Sequence, residues 1–516
     1  MDSPVGKLVN GVIEGRSVDF WTLSRFIWEH PELALKEEEA HAKLTEFLEQ
    51  REFKVERKYL LSTAFRAEFD APGGTDGPTI AFLCEYDALP EIGHACGHNL
   101  IAELAVASAV AVRDAMKASH QLRGKVVVLG TPGEENCGGK QMLIDKGAFK
   151  DIDIALMSHP FSYEALRAGF TARQQMTVRF RGRAAHAAES PYKGVNALDA
   201  AVASYVNIAL LRQQIKPTCR VHGVILRGGM YPNIIPESSE LSYHIRGADL
   251  AELDDLVERV VGCFKAAAQA TGCSLSLEPG IRYKHLVHNV ALTKVYRKHG
   301  LTLGAEFLDA DMSHVVPTGA ATDAGNVSHC VPTLHTVYAV GTGVRNHTRG
   351  FAELAGAIDA QGPTRRTAKA LAMTAIDLFS DPGLVQQIKI LAMTTSEYSA
   401  IVESTVEGNA AELRELSMCL WSHPELALNE TRAHALLTGF LETRGFEVHR
   451  SHQLDTAFRA DAIAPGGADG PTVALMVEYD ALPDIGHGCG HNLIAEACMG
   501  AAIAVLEAMK KSSKVR

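Results

Sequence analysis

What is missing from this chain narrows it first. A surplus of positive charge is absent: 61 acidic residues outnumber 50 basic ones, for a net charge of −11. Proteins that bind nucleic acid usually carry a basic patch and a high pI, so this balance argues against that class. It leaves the substrate open, because a pocket can differ in sign from the surface around it. A basic start followed by an apolar run is absent from the opening MDSPVGKLVNGVIEG, which argues against a secretory leader. No stretch reads as the roughly 20 apolar residues that span a bilayer, and the most apolar window, near residues 104–112, reads as a buried helix. The ten cysteines show no framework spacing, so free thiols in a reducing compartment, the cytoplasm, are expected. Neither a nucleic acid nor a membrane is an expected partner.

What is present is ordinary for a soluble globular chain: 47% apolar and 22% charged residues. At about 150 residues per domain, the length suits three or four domains. The first structural fact is an internal repeat. Trp28-Glu29-His30-Pro31-Glu32-Leu33-Ala34-Leu35 recurs as Trp421-Ser422-His423-Pro424-Glu425-Leu426-Ala427-Leu428. The match runs without a gap at a constant offset of 393, with 57 of the 89 positions from 28 to 116 identical. Solenoid repeats have periods of roughly 20–50 residues, so this reads as a duplicated domain segment. The second copy stops at Arg516, just before the equivalent of residues 124–130.

In the first copy, four apolar runs read as buried strands: 79–84, 125–130, 152–157 and 334–340. Helical patterns intervene, including 37–50 and 101–116. Continuous apolar strands alternating with helices predict an α/β fold with a mainly parallel sheet covered on both faces. Ligands of such sheets bind beyond the carboxyl ends of the strands. The polar motifs fall there: Glu85-Tyr86-Asp87-Ala88-Leu89-Pro90, then Thr131-Pro132-Gly133-Glu134-Glu135, then Ser158-His159-Pro160, then Asn346-His347-Thr348. Between about 172 and 282 the pattern becomes β-α-β-β-α-β, that of a small ferredoxin-like α+β domain inserted into the first.

His94-Ala95-Cys96-Gly97-His98 offers a thiol and an imidazole two residues apart. With Glu134-Glu135, His159 and His347, the set suits zinc, with cobalt, manganese or nickel as alternatives. Five candidate ligands exceed the four of a closed structural site. They point to an open catalytic site with one or two ions, the second sharing Cys96 as a bridge. One glutamate can ligate while its neighbour moves a proton. Each piece alone has a blander reading. Cys-x-His is more often packing, Glu-Glu a solvated face and Ser-His-Pro a turn. Their shared position after apolar strands raises the joint reading.

The run from Cys84 to Glu103, with residues 126–132 and 365–375, resembles the M20 metallopeptidase family of carnosinases, aminoacylases and auxin-conjugate amidohydrolases. It is most similar to a branch that cleaves dipeptides ending in lysine, ornithine or arginine. The resemblance implies metal-dependent hydrolysis of a dipeptide amide by metal-activated water. It implies Cys96, His98, Glu135, His159 and His347 as ligands of one or two Zn2+ ions (Mn2+ or Co2+ as alternatives). Glu134 would be the general base, and Asp87 would orient a ligand. Many members carry a histidine two residues before that aspartate; here the position is Glu85, left outside the ligand set. In the inserted domain, His186 resembles a histidine that reaches a partner's site in a homodimer. Asn233 and Arg246 resemble groups that hold the substrate carboxylate, a task suited to the guanidinium fork. Without the resemblance all three read as turn or surface residues.

The organisation expected is 1–171 catalytic domain, 172–282 inserted lid and dimerisation domain, 283–380 catalytic domain resumed, 381–410 junction, and 411–516 partial duplicate. The tail keeps Cys489 and His491 but has no equivalent of Glu134, Glu135, His159 or His347, and two ligands cannot hold a catalytic zinc. Two other functions compete with a dipeptidase. One is an N-acyl amino acid amidohydrolase. The other is an inactive binding or scaffold protein, against which the complete first copy speaks.

Overall fold

The computed structural model describes residues 3–465, 467 and 472–511, leaving aside the side chains of 136, 392–397, 399 and 400. The chain divides into two units, Met1–Lys389 and Ile390–Arg516.

The first unit is built on a six-stranded sheet. Its early strands are β1 (Lys54–Arg57), β2 (Phe65–Asp70), β3 (Thr79–Cys84), β4 (Lys125–Gly130) and β5 (Ile154–Phe161). The two-residue β6 (Ala168–Gly169) follows and pairs with the later β11 (Val316–Pro317). The last strand is β12 (Thr333–Ala339), and the order across the sheet is β1-β2-β4-β3-β5-β12. From β4 to β12 all pairs are parallel, while β2 runs antiparallel to both its neighbours. The apolar runs of β3 and β4 serve two cores at once. Ile80, Phe82, Cys84, Val126 and Val128 face one core, formed with the helices Pro4–Gly15, Ser17–Glu29, His98–Ala118 and Gln361–Ser380. Ala81, Leu83, Val127 and Leu129 face the other, with Leu143, Phe149 and Val327. Period-two burial on both faces is why these strands read as unbroken hydrophobic runs. Each such side chain is worth about 1.5–3 kcal/mol in burial.

The antiparallel strands β1 and β2 lie outside the four apolar runs, although β2, Phe-Arg-Ala-Glu-Phe-Asp, alternates apolar and charged residues as a half-buried strand does. β5 runs further than expected. Val337 of β12 pairs with His159, so Ser158-His159-Pro160 lies within the strand rather than after it.

Strands β7 (Ala172–Arg181), β8 (Arg220–Arg227), β9 (Ser238–Gly247) and β10 (Ser274–Tyr283) form a separate antiparallel sheet in the order β10-β7-β9-β8. The helices Ala197–Leu211 and Leu250–Thr271 pack on it around Val178, Phe180, Tyr243 and Phe264. Asn196 and Asp249 start those helices by accepting backbone N–H bonds through their side chains. Chain order is β-α-β-β-α-β, the ferredoxin-like pattern.

The stretch 381–410, expected as the junction to the tail, is largely a helix, Pro382–Gly408. The second unit continues with helices Ala410–Ser422, Thr431–Glu442 and His491–Lys511, and the hairpin β13 (Glu447–Arg450) with β14 (Phe458–Asp461). His491–Lys511 corrects one expectation: by length and composition alone it is apolar enough to cross a membrane. Its counterpart at the repeat offset, His98–Ala118, is a core helix with 18 of its 21 residues buried by side-chain packing. Residues 472–477, equivalent to β3, form no strand. Val473 and Met476 there are 79% and 82% exposed. In the first unit β3 lies between β4 and β5, and neither has an equivalent in the tail. A strand without ladder partners keeps its pattern and loses its structure.

Candidate metal centre

The site is assembled from loops at the carboxyl end of the parallel strands. After β3, Tyr86 anchors the loop by donating to the Thr63 carbonyl at 2.6 Å. Gly97 holds φ +81°, and a Cβ there would lie 2.6 Å from Pro160 Cγ, so glycine is required on both counts. His98 opens the long core helix. Its Nδ1 faces the backbone oxygen of Asp87 at 2.9 Å and Oδ1 at 3.0 Å. Two acceptors there place a proton on Nδ1 and leave Nε2 as the nitrogen that can ligate. The other oxygen of Asp87 accepts from the Glu135 backbone N–H at 3.0 Å, so one carboxylate fixes two neighbouring loops.

After β4, Gly133 in the left-handed region turns the chain so that Glu134 and Glu135 open a short helix. On β5, His159 turns Nδ1 to the Pro160 carbonyl at 2.9 Å and brings Nε2 within 3.4 Å of Cys96 Sγ. After β12, His347 sits at φ +65°, an uncommon conformation for a residue with a side chain. Its N–H donates to the Ala95 carbonyl at 2.8 Å, and Asn346 bonds the Cys96 and Pro160 carbonyls. Residues far apart in sequence are thereby tied across the ends of three strands.

The donor atoms form overlapping groups, each within 4.8 Å: Cys96–His98–His159, Cys96–Glu135–His347 and His98–Glu134–Glu135. Cys96 belongs to two of them. His98 Nε2, Glu135 Oε1 and Glu85 Oε2 are buried without a hydrogen-bond partner. Buried polar atoms left unpaired cost free energy, and with Glu85 Oε2 3.4 Å and Glu135 Oε1 4.0 Å from His98 Nε2 their place beside the donor groups fits a bound cation. A thiol with imidazoles and carboxylates suits zinc.

Burial and the carboxylates of Glu85, Glu135 and Asp323 push the Glu134 carboxyl well above its ordinary range. Glu135 is held down at about 2, against burial, by His347 and His98. Burial lowers His159 to about 4, so its ring is neutral and available as a ligand. Burial and Glu135 raise the Cys96 thiol.

Behind these groups lies a charge cluster that sequence reasoning missed. Lys140 is fully buried, with Nζ 2.5 Å from Glu85 Oε1 and 2.6 Å from Asp323 Oδ1. Its backbone N–H donates to the other Asp323 oxygen at 2.9 Å. Tyr283, under the Arg173 guanidinium, donates its hydroxyl to the Glu134 carbonyl. The one sequence signal was Gly138-Gly139-Lys140 beside the Glu-Glu pair, and a lone lysine there reads as surface.

His186, Asn233 and Arg246 stand in the inserted domain, and among the described residues none bonds to the cluster. His186 is exposed; its Nδ1 accepts from the Ala188 and Glu189 N–H groups at 3.3 and 3.1 Å. The Asn233 carbonyl accepts from Ala187 next to it. Arg246 places Nε 3.3 Å from His222, and burial beside Arg173 lowers it to about 10.

Residues 173–271 match the Peptidase dimerisation domain family. An Xaa-Arg dipeptidase of Mus musculus is 47% identical over 376 residues, which cover 71% of this chain and 87% of the relative. The chain belongs to the M20 peptidase family. A p-aminobenzoyl-glutamate hydrolase subunit from Escherichia coli (strain K12) is 29% identical over 458 residues, covering 74% of this M20 chain and 93% of its own. A solved structure described as a dinuclear metal binding peptidase of the M20 family, from Bacillus subtilis, covers 70% of the chain and 99% of its own. It has a TM-score of 0.55 at 17% identity, a likeness of fold.

The second unit of this M20 peptidase repeats part of the loop geometry. His491 Nδ1 faces Asp480 Oδ1 at 2.8 Å and its backbone oxygen at 3.0 Å, as His98 faces Asp87. Cys489 is exposed, and Glu478, equivalent to Glu85, is 60% exposed against 0%. Among the described residues, the second unit gathers no group of three donors.

Proposed function

We propose that this M20 hydrolase is a metal-dependent dipeptidase acting on substrates with a basic C-terminal residue, and that it works as a homodimer. The observation that carries the metal reading is the pair of donor groups sharing Cys96. The substrate class rests on the relatives named Xaa-Arg dipeptidase in Mus musculus and Homo sapiens, each 47% identical. The dimer rests on the matched dimerisation domain.

In this reading Cys96, His98 and His159 would hold one ion and Cys96, Glu135 and His347 would hold a second, zinc being the metal their chemistry suits best. A divalent ion bound by these residues would supply Lewis acidity. Asp87 keeps the His98 ring in its ligating tautomer. Glu134 takes the water's proton and returns it to the leaving amine. Asn233 and Arg246 hold the substrate carboxylate.

The test is a hydrolysis screen of the metal-loaded enzyme over dipeptides varied at the C-terminal residue, with N-acetyl amino acids alongside. The expected result is a kcat/KM at least about tenfold higher for Lys, Orn or Arg than for neutral residues, about 1.4 kcal/mol of discrimination. A preference for N-acetyl amino acids assigns an amidohydrolase instead. Cysteine variants separate the two units. Cys96→Ser replaces a thiolate ligand with a hydroxyl that stays protonated at neutral pH, and metal content and activity should fall together. Cys489→Ser should change neither. Unchanged metal stoichiometry in Cys96→Ser removes Cys96 from the ligand set.

A further inference from the structure

We propose that Glu85 is itself a metal-binding residue: its Oε2 contacts the ion held by His98, while Lys140, braced by Asp323, holds its other oxygen in place. This rests on the metal reading above and extends its ligand set.

The first argument is the pairing of acceptors. Asp87 occupies the proton of His98 Nδ1 through two contacts, so Nε2 is the nitrogen left to ligate. Glu85 Oε2 lies 3.4 Å from that nitrogen, fully buried and with no hydrogen-bond partner. Two acceptors facing each other repel unless a proton or a cation lies between them. Two ligand atoms each about 2.1 Å from a tetrahedral zinc lie about 3.4 Å apart, so the spacing suits a shared ion.

The second argument is charge. Lys140 is the one ammonium between two buried carboxylates, Glu85 and Asp323, and all three side chains are fully buried. Within the triad, two carboxylates face one ammonium. An isolated buried charge is costly unless a partner of opposite sign is close. The oxygen of Glu85 that Lys140 does not bind points at His98. A cation on that side completes the balance. Lys140 and Asp323 are then positioning residues: they fix the carboxylate without reaching the ion.

The third argument is the second unit. Glu478 keeps a contact to His491 at 3.2 Å but is largely exposed, and the tail contains no equivalent of Lys140 or Asp323. The clamp belongs to the unit with the full donor set.

Glu85→Gln tests this directly, because it leaves Lys140 and Asp323 as a neutral buried pair. Wild type and variant full-length proteins are stripped with a chelator and titrated with Zn2+ against a competing indicator, and with Co2+ followed by its visible absorption. The expected result is two ions on the wild type, and in the variant a loss of at least about tenfold in affinity for one of them, with a changed Co2+ spectrum. A folded variant with wild-type affinities and spectrum overturns the proposal and leaves the metal reading standing; it would mean that His98 carries a proton facing Glu85. If Glu85→Gln does not fold, Glu85→Asp keeps the charge and withdraws the oxygen by one carbon–carbon bond. Weakened binding of one ion in that variant supports the proposal, and unchanged binding overturns it. A wild type that takes up no ion at all overturns the metal reading itself.

Discussion

Glu134→Gln should keep the metal content of the enzyme and lower kcat by at least about 100-fold, the low end of what general acid–base catalysis contributes. Glutamine matches glutamate in size, so the packing of this buried side chain is preserved. Its amide cannot accept a proton and pass it on. The surroundings suit the carboxylate to that task. Burial and three neighbouring carboxylates raise its proton affinity, while His98 opposes them. The Tyr283 hydroxyl holds the Glu134 backbone, so the side chain starts from a fixed point beside Glu135. A loss in kcat with KM little changed marks an interaction made in the transition state. Turnover within tenfold of wild type, at full metal occupancy, would remove Glu134 from the proton path.

His186→Ala and Glu134→Gln homodimers should both be nearly inactive, and mixing them should restore about a quarter of wild-type activity. In its own subunit His186 is exposed and bonds to none of the metal-centre groups. Its Nδ1 is used by two backbone N–H groups, which leaves Nε2–H directed outward as a free donor. The matched dimerisation domain contains it. In a two-fold dimer the Glu134→Gln subunit can lend its intact His186 to the site that still has Glu134. Random pairing makes half the dimers mixed, each with one working site of two. Co-expression with separately tagged subunits and tandem purification isolates those dimers, which should show about half of wild-type activity, the quarter belonging to the unfractionated mixture. Absence of recovery in verified mixed dimers would place the role of His186 within its own subunit.

The parallel core was readable because both faces of β3 and β4 are apolar. The limits of β3 and β4 match the runs read from pattern alone. The donor set was readable because its members lie at or beyond the carboxyl ends of apolar strands, although His159 stands within β5 itself. Other parts were harder to read. Lys140 and Asp323 are 183 residues apart and acquire meaning only when the fold joins them over Glu85. β2 is not a continuous apolar run, and its alternation, a strand signal in itself, was passed over; its Arg66 is spent on Glu68 and Asp151. Residues 472–477 show the reverse failure: the pattern of a buried strand is present and the neighbours that would bury it are not.

The His–Asp contact at the head of the core helix occurs twice in one polypeptide, once sealed and once wet. His98 has a side-chain exposure of 0% and His491 of 20%, yet both keep the same two acceptors on Nδ1. The tautomer is therefore written into some dozen residues of local sequence and survives without the rest of the site. What the second unit lacks is the dry enclosure and the remaining donors. The chain thus carries its own internal control: comparing the affinity of the two motifs for one Zn2+ ion would separate what ligand orientation contributes from what enclosure adds.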